Sequence, residues 1–143
     1  MSTATPQPAE LTVGGIVAER HVTFTRDTLV HYAGASGDFN PIHYRDDVAA
    51  SVDLPGVIAH GMLTMGAAVQ PVVDWVGDPA RISDYQVKFT RPVVVDPQSG
   101  ADVTIIATIG ALDADAQTAR VDLTVSFDDA TVLGKAQVVV TLA

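Results

Sequence analysis

Gly61-Met-Leu-Thr-Met-Gly-Ala-Ala-Val-Gln-Pro-Val-Val-Asp-Trp-Val76 lies within the most apolar stretch of this chain, residues 56–77. Met62, Met65, Val69, Val72 and Val76 recur at spacings of three and four, which predicts a helix with those five on one face. A membrane span needs about 20 predominantly apolar residues. This stretch carries His60, Gln70, Pro71 and Asp74, so it reads as a buried helix, with a kink expected at Pro71.

Downstream of Gly77-Asp78-Pro79 the period changes from 3.6 to two. Tyr85, Val87 and Phe89 alternate with polar neighbours. So do Val103, Ile105, Ala107 and Ile109, then Val121, Leu123, Val125 and Phe127, and finally Val138, Val140 and Leu142. Gly100, Gly110, Asp113 and Asp128-Asp129 mark turns, which predicts four strands running as an antiparallel meander. Upstream, Ile16 to Phe24 reads as a further strand. Thr25 caps a helix from Arg26 to about Ala35, with Asp27 in its first turn. A second short helix runs through Val48 and Ala49, and Asp53-Leu54-Pro55-Gly56 forms a turn. The expected class is α+β, with one antiparallel sheet covered by the 61–76 helix. Residues 1–12 read as a flexible arm and residues 13–143 as one domain.

Seventeen Asp and Glu against eight Lys and Arg give a net charge of −9, with no block of basic residues. Nucleic-acid affinity comes mainly from clustered cations, so a nucleic-acid partner is not expected. No signal peptide is visible in the first fifteen residues, MSTATPQPAELTVGG. The absence of cysteine removes disulfides and thiolate sites and fits a cytoplasmic location.

The chemistry concentrates in Asp38-Phe39-Asn40-Pro41-Ile42-His43. Asn40 and Pro41 are good helix-start residues, so the segment also reads as ordinary capping. Functionally, a carboxylate and an imidazole five residues apart across a proline turn can face one small volume. Histidine exchanges protons near neutrality, which suits moving H and OH across a carbon–carbon double bond. Phosphoryl transfer would want magnesium ligands and clustered basic groups. Ala59-His60-Gly61 precedes the long helix, whose first amides lack partners and carry positive potential. A glycine there lets a carbonyl approach closely, and His60 can orient it, cap the helix or fill space. Asp38, His43 and His60 could bind a metal, but no HxxxH or HExxH spacing occurs and no metal or cofactor is expected.

The run from Tyr32 through Gly37-Asp38-Phe39-Asn40-Pro41-Ile42-His43 resembles the hydratase-2 motif of MaoC-like dehydratases. Ala59-His60-Gly61-Met62-Leu63 and Tyr85-Gln-Val-Lys-Phe89-Thr-Arg-Pro92 extend the match. The whole is similar to catalytic B subunits of (3R)-hydroxyacyl-[acyl-carrier-protein] dehydratase in mycolic-acid elongation.

This resemblance implies a hot-dog fold, in which a curved antiparallel sheet wraps a long central helix. It also implies a homodimer, or a heterodimer with a related hot-dog subunit. The implied reaction is reversible dehydration of (3R)-hydroxyacyl thioesters, carried on acyl carrier protein or coenzyme A, to trans-2-enoyl thioesters. By position Asp38 and His43 become the catalytic pair, Asn40 an orienting residue and the Gly61 amide a donor to the thioester carbonyl. His43 is favoured as base, although the sequence leaves that division open. Many relatives carry an acid two residues after the histidine, where this chain has Arg45. The alternatives are an (R)-specific enoyl-CoA hydratase, a hot-dog thioesterase and a non-catalytic acyl-binding subunit.

Overall fold

The computed structural model describes residues 6–142. Strand β1 (Ile16–Phe24) leads into helix α1 (Arg26–Ser36), and a short 3-10 turn at Pro41–His43 precedes α2 (Asp46–Ser51). Helix α3 (Gly61–Val76) follows, then β2 (Ile82–Phe89), β3 (Ala101–Asp113), β4 (Thr118–Phe127) and β5 (Ala130–Thr141). The Thr25 hydroxyl accepts the Thr28 amide in a capping box, and Gly37 ends α1 at φ 77°, a conformation that suits a residue without Cβ. Asp128 and Asp129 take φ values of 51° and 57°, the two left-handed residues of a tight hairpin between β4 and β5. The expected arm divides at residue 6. Residues 1–5 lie outside the described residues, whereas Pro8–Glu10 forms a 3-10 turn and Leu11 packs against the core.

All strand pairs are antiparallel, in the order β1-β3-β4-β5-β2. Strands β3, β4 and β5 form the expected meander, but β2 does not join it beside β3. It pairs with β5 at the far edge, with Tyr85 opposite Val138 and Phe89 opposite Leu133. The connection over residues 90–100 carries the chain away from β2 before β3 begins, and its Val93 and Val95 are buried. Inward residues of the long strands (Val103, Ile105, Ile109, Val121, Val125, Val138 and Val140) fill the core. Phe89, expected inward, is 56% exposed.

Helix α3 touches all five strands. Five strands spaced about 4.8 Å apart are wider than one helix of about 10 Å diameter, so a flat sheet would leave its edges out of reach. The sheet therefore curves around α3. The buried face of the helix is Thr64, Ala68, Pro71, Val72 and Val76. Of the expected stripe, Val72 and Val76 point inward, Met65 and Val69 are half-buried and Met62 is exposed. Small side chains let the helix axis settle close to the concave sheet, and that closeness selects Thr64 and Ala68 over the methionines. Pro71 does not interrupt the helix, which runs unbroken from Gly61 to Val76 with the proline on its buried side. Among the described residues no helix is long and apolar enough to cross a membrane.

Candidate active site

Asp38, Asn40 and His43 lie in the link between α1 and α2. The Asp38 carboxylate accepts the Asn40 amide at 3.2 Å, and the Asn40 side chain accepts the Ile42 amide at 3.3 Å, capping the Pro41–His43 turn. Asn40 thus acts through the backbone, shaping the bend that presents His43. These short Asx turns form because side-chain oxygens of Asp and Asn reach their own backbone two residues on.

The bend turns His43 into the protein, where it is 7% exposed. Its Nδ1 lies 2.7 Å from the Ile58 carbonyl. A carbonyl only accepts, so in the neutral ring Nδ1 carries the proton and Nε2 the lone pair. That Nε2 sits 3.8 Å from Asp38 Oδ2. The Asp38 side chain is about half exposed, whereas the imidazole is enclosed. Water therefore reaches the pair from the carboxylate side.

His43 also lines a cleft of about 300 Å³. Ile58, Ala59, Gly61 and Thr64 form one side, and Phe89 to Val93 with Val132 and Leu133 form the other. Gly61 opens α3, so the helix's unpaired first amides and positive end face this space. A methyl group on Gly61 would stand 2.9 Å from the Phe89 ring, so glycine is what fits between helix start and aromatic wall. The cleft is mainly apolar, with an imidazole at one point and a helix N-terminus beside it. Such a space suits an acyl chain whose reactive end carries a polarisable carbonyl.

His60 is buried to 1% exposure immediately before α3. Its ring stacks on His43 with centroids 3.8 Å apart and planes 22° from parallel, and its Nε2 is 3.1 Å from the Asp38 carbonyl oxygen. Burial holds its pKa below the ordinary histidine value, and the neighbouring His43 adds to this against the opposing pull of Asp38. Asp38, His43 and His60 each place a potential ligand atom within 4.8 Å of the others. Near-parallel stacked rings, however, send their in-plane lone pairs along separate planes, and one nitrogen of each ring already faces a carbonyl. The trio is poorly shaped for a shared ion.

The structure thus brings Asp38, His43 and His60 together and sets His43 beside Gly61 in the cleft, whereas Asn40 is exposed and caps the turn before His43. The sequence reading had left Phe89 and Val132–Leu133 out of the site. The Tyr85–Pro92 similarity is a signal for Phe89 alone, and Val132 and Leu133 have none, because a cleft wall made by two paired strands has no local signature.

The fold agrees with solved structures. A MaoC-like dehydratase superposes with a TM-score of 0.94 at 36% identity, covering 97% of this chain and 43% of that one. An A. caviae (R)-hydratase involved in PHA biosynthesis gives 0.81 at 24% identity, covering 94% of this chain and 98% of that one. Fatty acid synthase subunit beta of Schizosaccharomyces pombe is 38% identical over 99 residues, 62% of this chain but 5% of the larger protein. The 3-hydroxyacyl-thioester dehydratase X of Mycobacterium tuberculosis is 38% identical over 69 residues, 48% of this chain and 24% of that protein. The chain therefore corresponds to a small part of the curated relatives it matches. Residues 11–127 match the MaoC like domain family, and with that span, this curved sheet and this central helix, the chain belongs to the MaoC-like hot-dog family.

Proposed function

We propose that this protein catalyses reversible, syn addition and removal of water between trans-2-enoyl and (3R)-3-hydroxyacyl thioesters. The observation that carries this reading is His43 Nε2. Its lone pair is kept free by the Ile58 carbonyl, and it stands 3.8 Å from Asp38 Oδ2 in a cleft bordered by the start of α3. Relatives named as dehydratase and hydratase support the same reaction class.

In hydration, one water about 2.8 Å from both Oδ2 and Nε2 fits the observed separation. His43 takes a proton from that water as its oxygen bonds to C3. The C2–C3 π electrons move toward the thioester carbonyl, whose enolate oxygen is held at the Gly61 amide. His43 then returns the proton to C2, while the second water proton stays on the new hydroxyl. Asp38 orients the water and stabilises the transient imidazolium. Both additions come from one side of the substrate. Dehydration is the same path reversed.

The carrier is an acyl carrier protein or coenzyme A, and both are anionic like this chain. Arg45 is held by Asp47 at 2.5 Å, which draws it away from docking. Arg91 lines the cleft and Lys88 lies on the exposed edge strand, neither in an ion pair among the described residues. We assign them the carrier's phosphate or acidic surface, so affinity should fall with added salt, and a flat response would argue against this docking. Strands β1 and β2 are the two sheet edges of the single chain. A second copy or a related hot-dog subunit pairs across one of them, which solution mass measurements would test.

The test of the reaction follows enoyl-thioester absorbance with the unsubstituted protein, Asp38→Asn and His43→Ala. Near-normal turnover in both folded variants would overturn the assignment. Release of free thiol without change in the enoyl chromophore would indicate a thioesterase instead.

A further inference from the structure

His60 has no part in the reaction as written, yet it is the most enclosed polar side chain at the site. Its Nε2 faces only the Asp38 carbonyl, which cannot donate, so Nε2 is the protonated nitrogen and donates that hydrogen bond. Its Nδ1 is buried without a partner. Protonating Nδ1 would create a cation with nothing to accept its hydrogen, so the ring stays neutral. The face of this neutral ring lies against His43, and the Tyr32 ring meets His60 edge-on with centroids 4.8 Å apart. One chain segment thus touches both halves of the pair. Ile58 accepts from His43 Nδ1, and two residues later His60 donates to Asp38 and backs the His43 ring.

We propose that His60 is a positioning residue that fixes the separation of Asp38 and His43. The Nε2–H bond pins the Asp38 backbone, and the stacked ring prevents His43 from tilting about its tether to Ile58. The Gly37–Asp38–Phe39 stretch is exposed at every residue. Its other hydrogen bonds, from the Gly37 amide to Ala33, from the Asp38 amide to Ser36 Oγ and from the Asn40 amide to the Asp38 carboxylate, tie it to α1 and to its own turn rather than to the buried imidazole. An error of about 1 Å in such an arrangement can cost on the order of 10²-fold in rate. Because the anchored groups act on the reacting atoms and not on the acyl chain, the loss should fall on kcat rather than KM. This inference rests on the Asp38–His43 reading.

The experiment compares His60→Phe, which keeps a flat ring but loses the donor, with His60→Gln, which keeps a donor but loses the ring. Each is assayed for kcat and KM on a 2-enoyl thioester, with circular dichroism to establish folding, beside Asp38→Asn and His43→Ala. The expected result is a kcat loss on the order of 10²-fold in His60→Phe at unchanged KM, with partial recovery in His60→Gln. Unchanged kcat in either folded variant would overturn the proposal, as would equal losses in both or a change carried by KM alone. If His60→Phe does not fold, His60→Gln alone decides, because wild-type kcat there rejects the role of the ring. Inert Asp38→Asn and His43→Ala beside normal His60 variants would reject only the positioning role. Active Asp38→Asn and His43→Ala would reject the reaction assignment itself.

Discussion

Two concavities among the described residues differ in how their polar groups are used, and it is to the smaller one that we assign the chemistry. The larger, about 690 Å³, lies around Arg26, Asp46, Asp96 and Asp102. Most of its charges are already engaged. Arg26 donates to both oxygens of Asp46 and, through Nε, to the Val95 carbonyl at 2.6 Å, while one Asp96 oxygen accepts the Gln98 and Ser99 amides at 2.8 Å. The cleft beside His43 has fewer polar groups but leaves capacity open: the His43 Nε2, the second oxygen of the half-exposed Asp38 nearby and a helix start. Reactivity follows unspent hydrogen-bonding capacity held in place, whereas spent capacity yields stability.

The sharpest way to break this contrast is to substitute the uncommitted groups. Asp38→Asn and His43→Ala should each reduce turnover by about 10²–10⁴-fold. Asp38→Asn should leave thermal unfolding nearly unchanged, whereas His43→Ala also lowers the melting temperature because it empties a buried position and strips the Ile58 carbonyl of its donor. A smaller effect is expected from Gly61→Ala, where the added methyl must displace the Phe89 ring. The amide survives, so kcat/KM should fall on the order of tenfold, and Phe89→Leu in that background should recover part of it.

The engaged groups should behave the other way round. Arg26→Ala removes a half-buried hydrogen bond to the Val95 carbonyl and should cost about 1–2 kcal/mol in urea unfolding, with turnover per folded molecule preserved. Arg26 also holds the Asp46 carboxyl below its usual range. A depressed carboxylate adds stability above its unfolded pKa and loses it as pH falls through the folded one. The Tm gap between the unsubstituted protein and Asp46→Asn should therefore be full at neutral pH and close on acidification below the ordinary aspartate range. The smallest effect belongs to Arg45→Ala. Its pair with Asp47 is fully exposed, so the melting temperature should not move, and any large shift would show that exposed pairs also matter here.

Much of this was legible in the residues alone. The alternation in Val103–Ile109 and Val121–Phe127, the Thr25 cap and the Asp128-Asp129 turn are local, because a strand's period and a turn's backbone depend on a few neighbouring side chains. The Asp38–His43 spacing was visible for the same reason, since a proline turn confines both groups within six residues.

Tertiary structure decided the rest. A strand's sequence does not name its partner, so the placement of β2 beside β5 had no local signal. Apolar spacing marks a greasy helix face without measuring how near the sheet will come, so Thr64 and Ala68 took the contact expected of Met62 and Met65. His60 stands 22 residues from the carbonyl it holds. Only the return of the chain to that point, with Ile58 and Gly61 on either side, turns a helix-start histidine into a neighbour of both Asp38 and His43. Such contacts are set by packing among distant segments, and packing is a property of the folded whole.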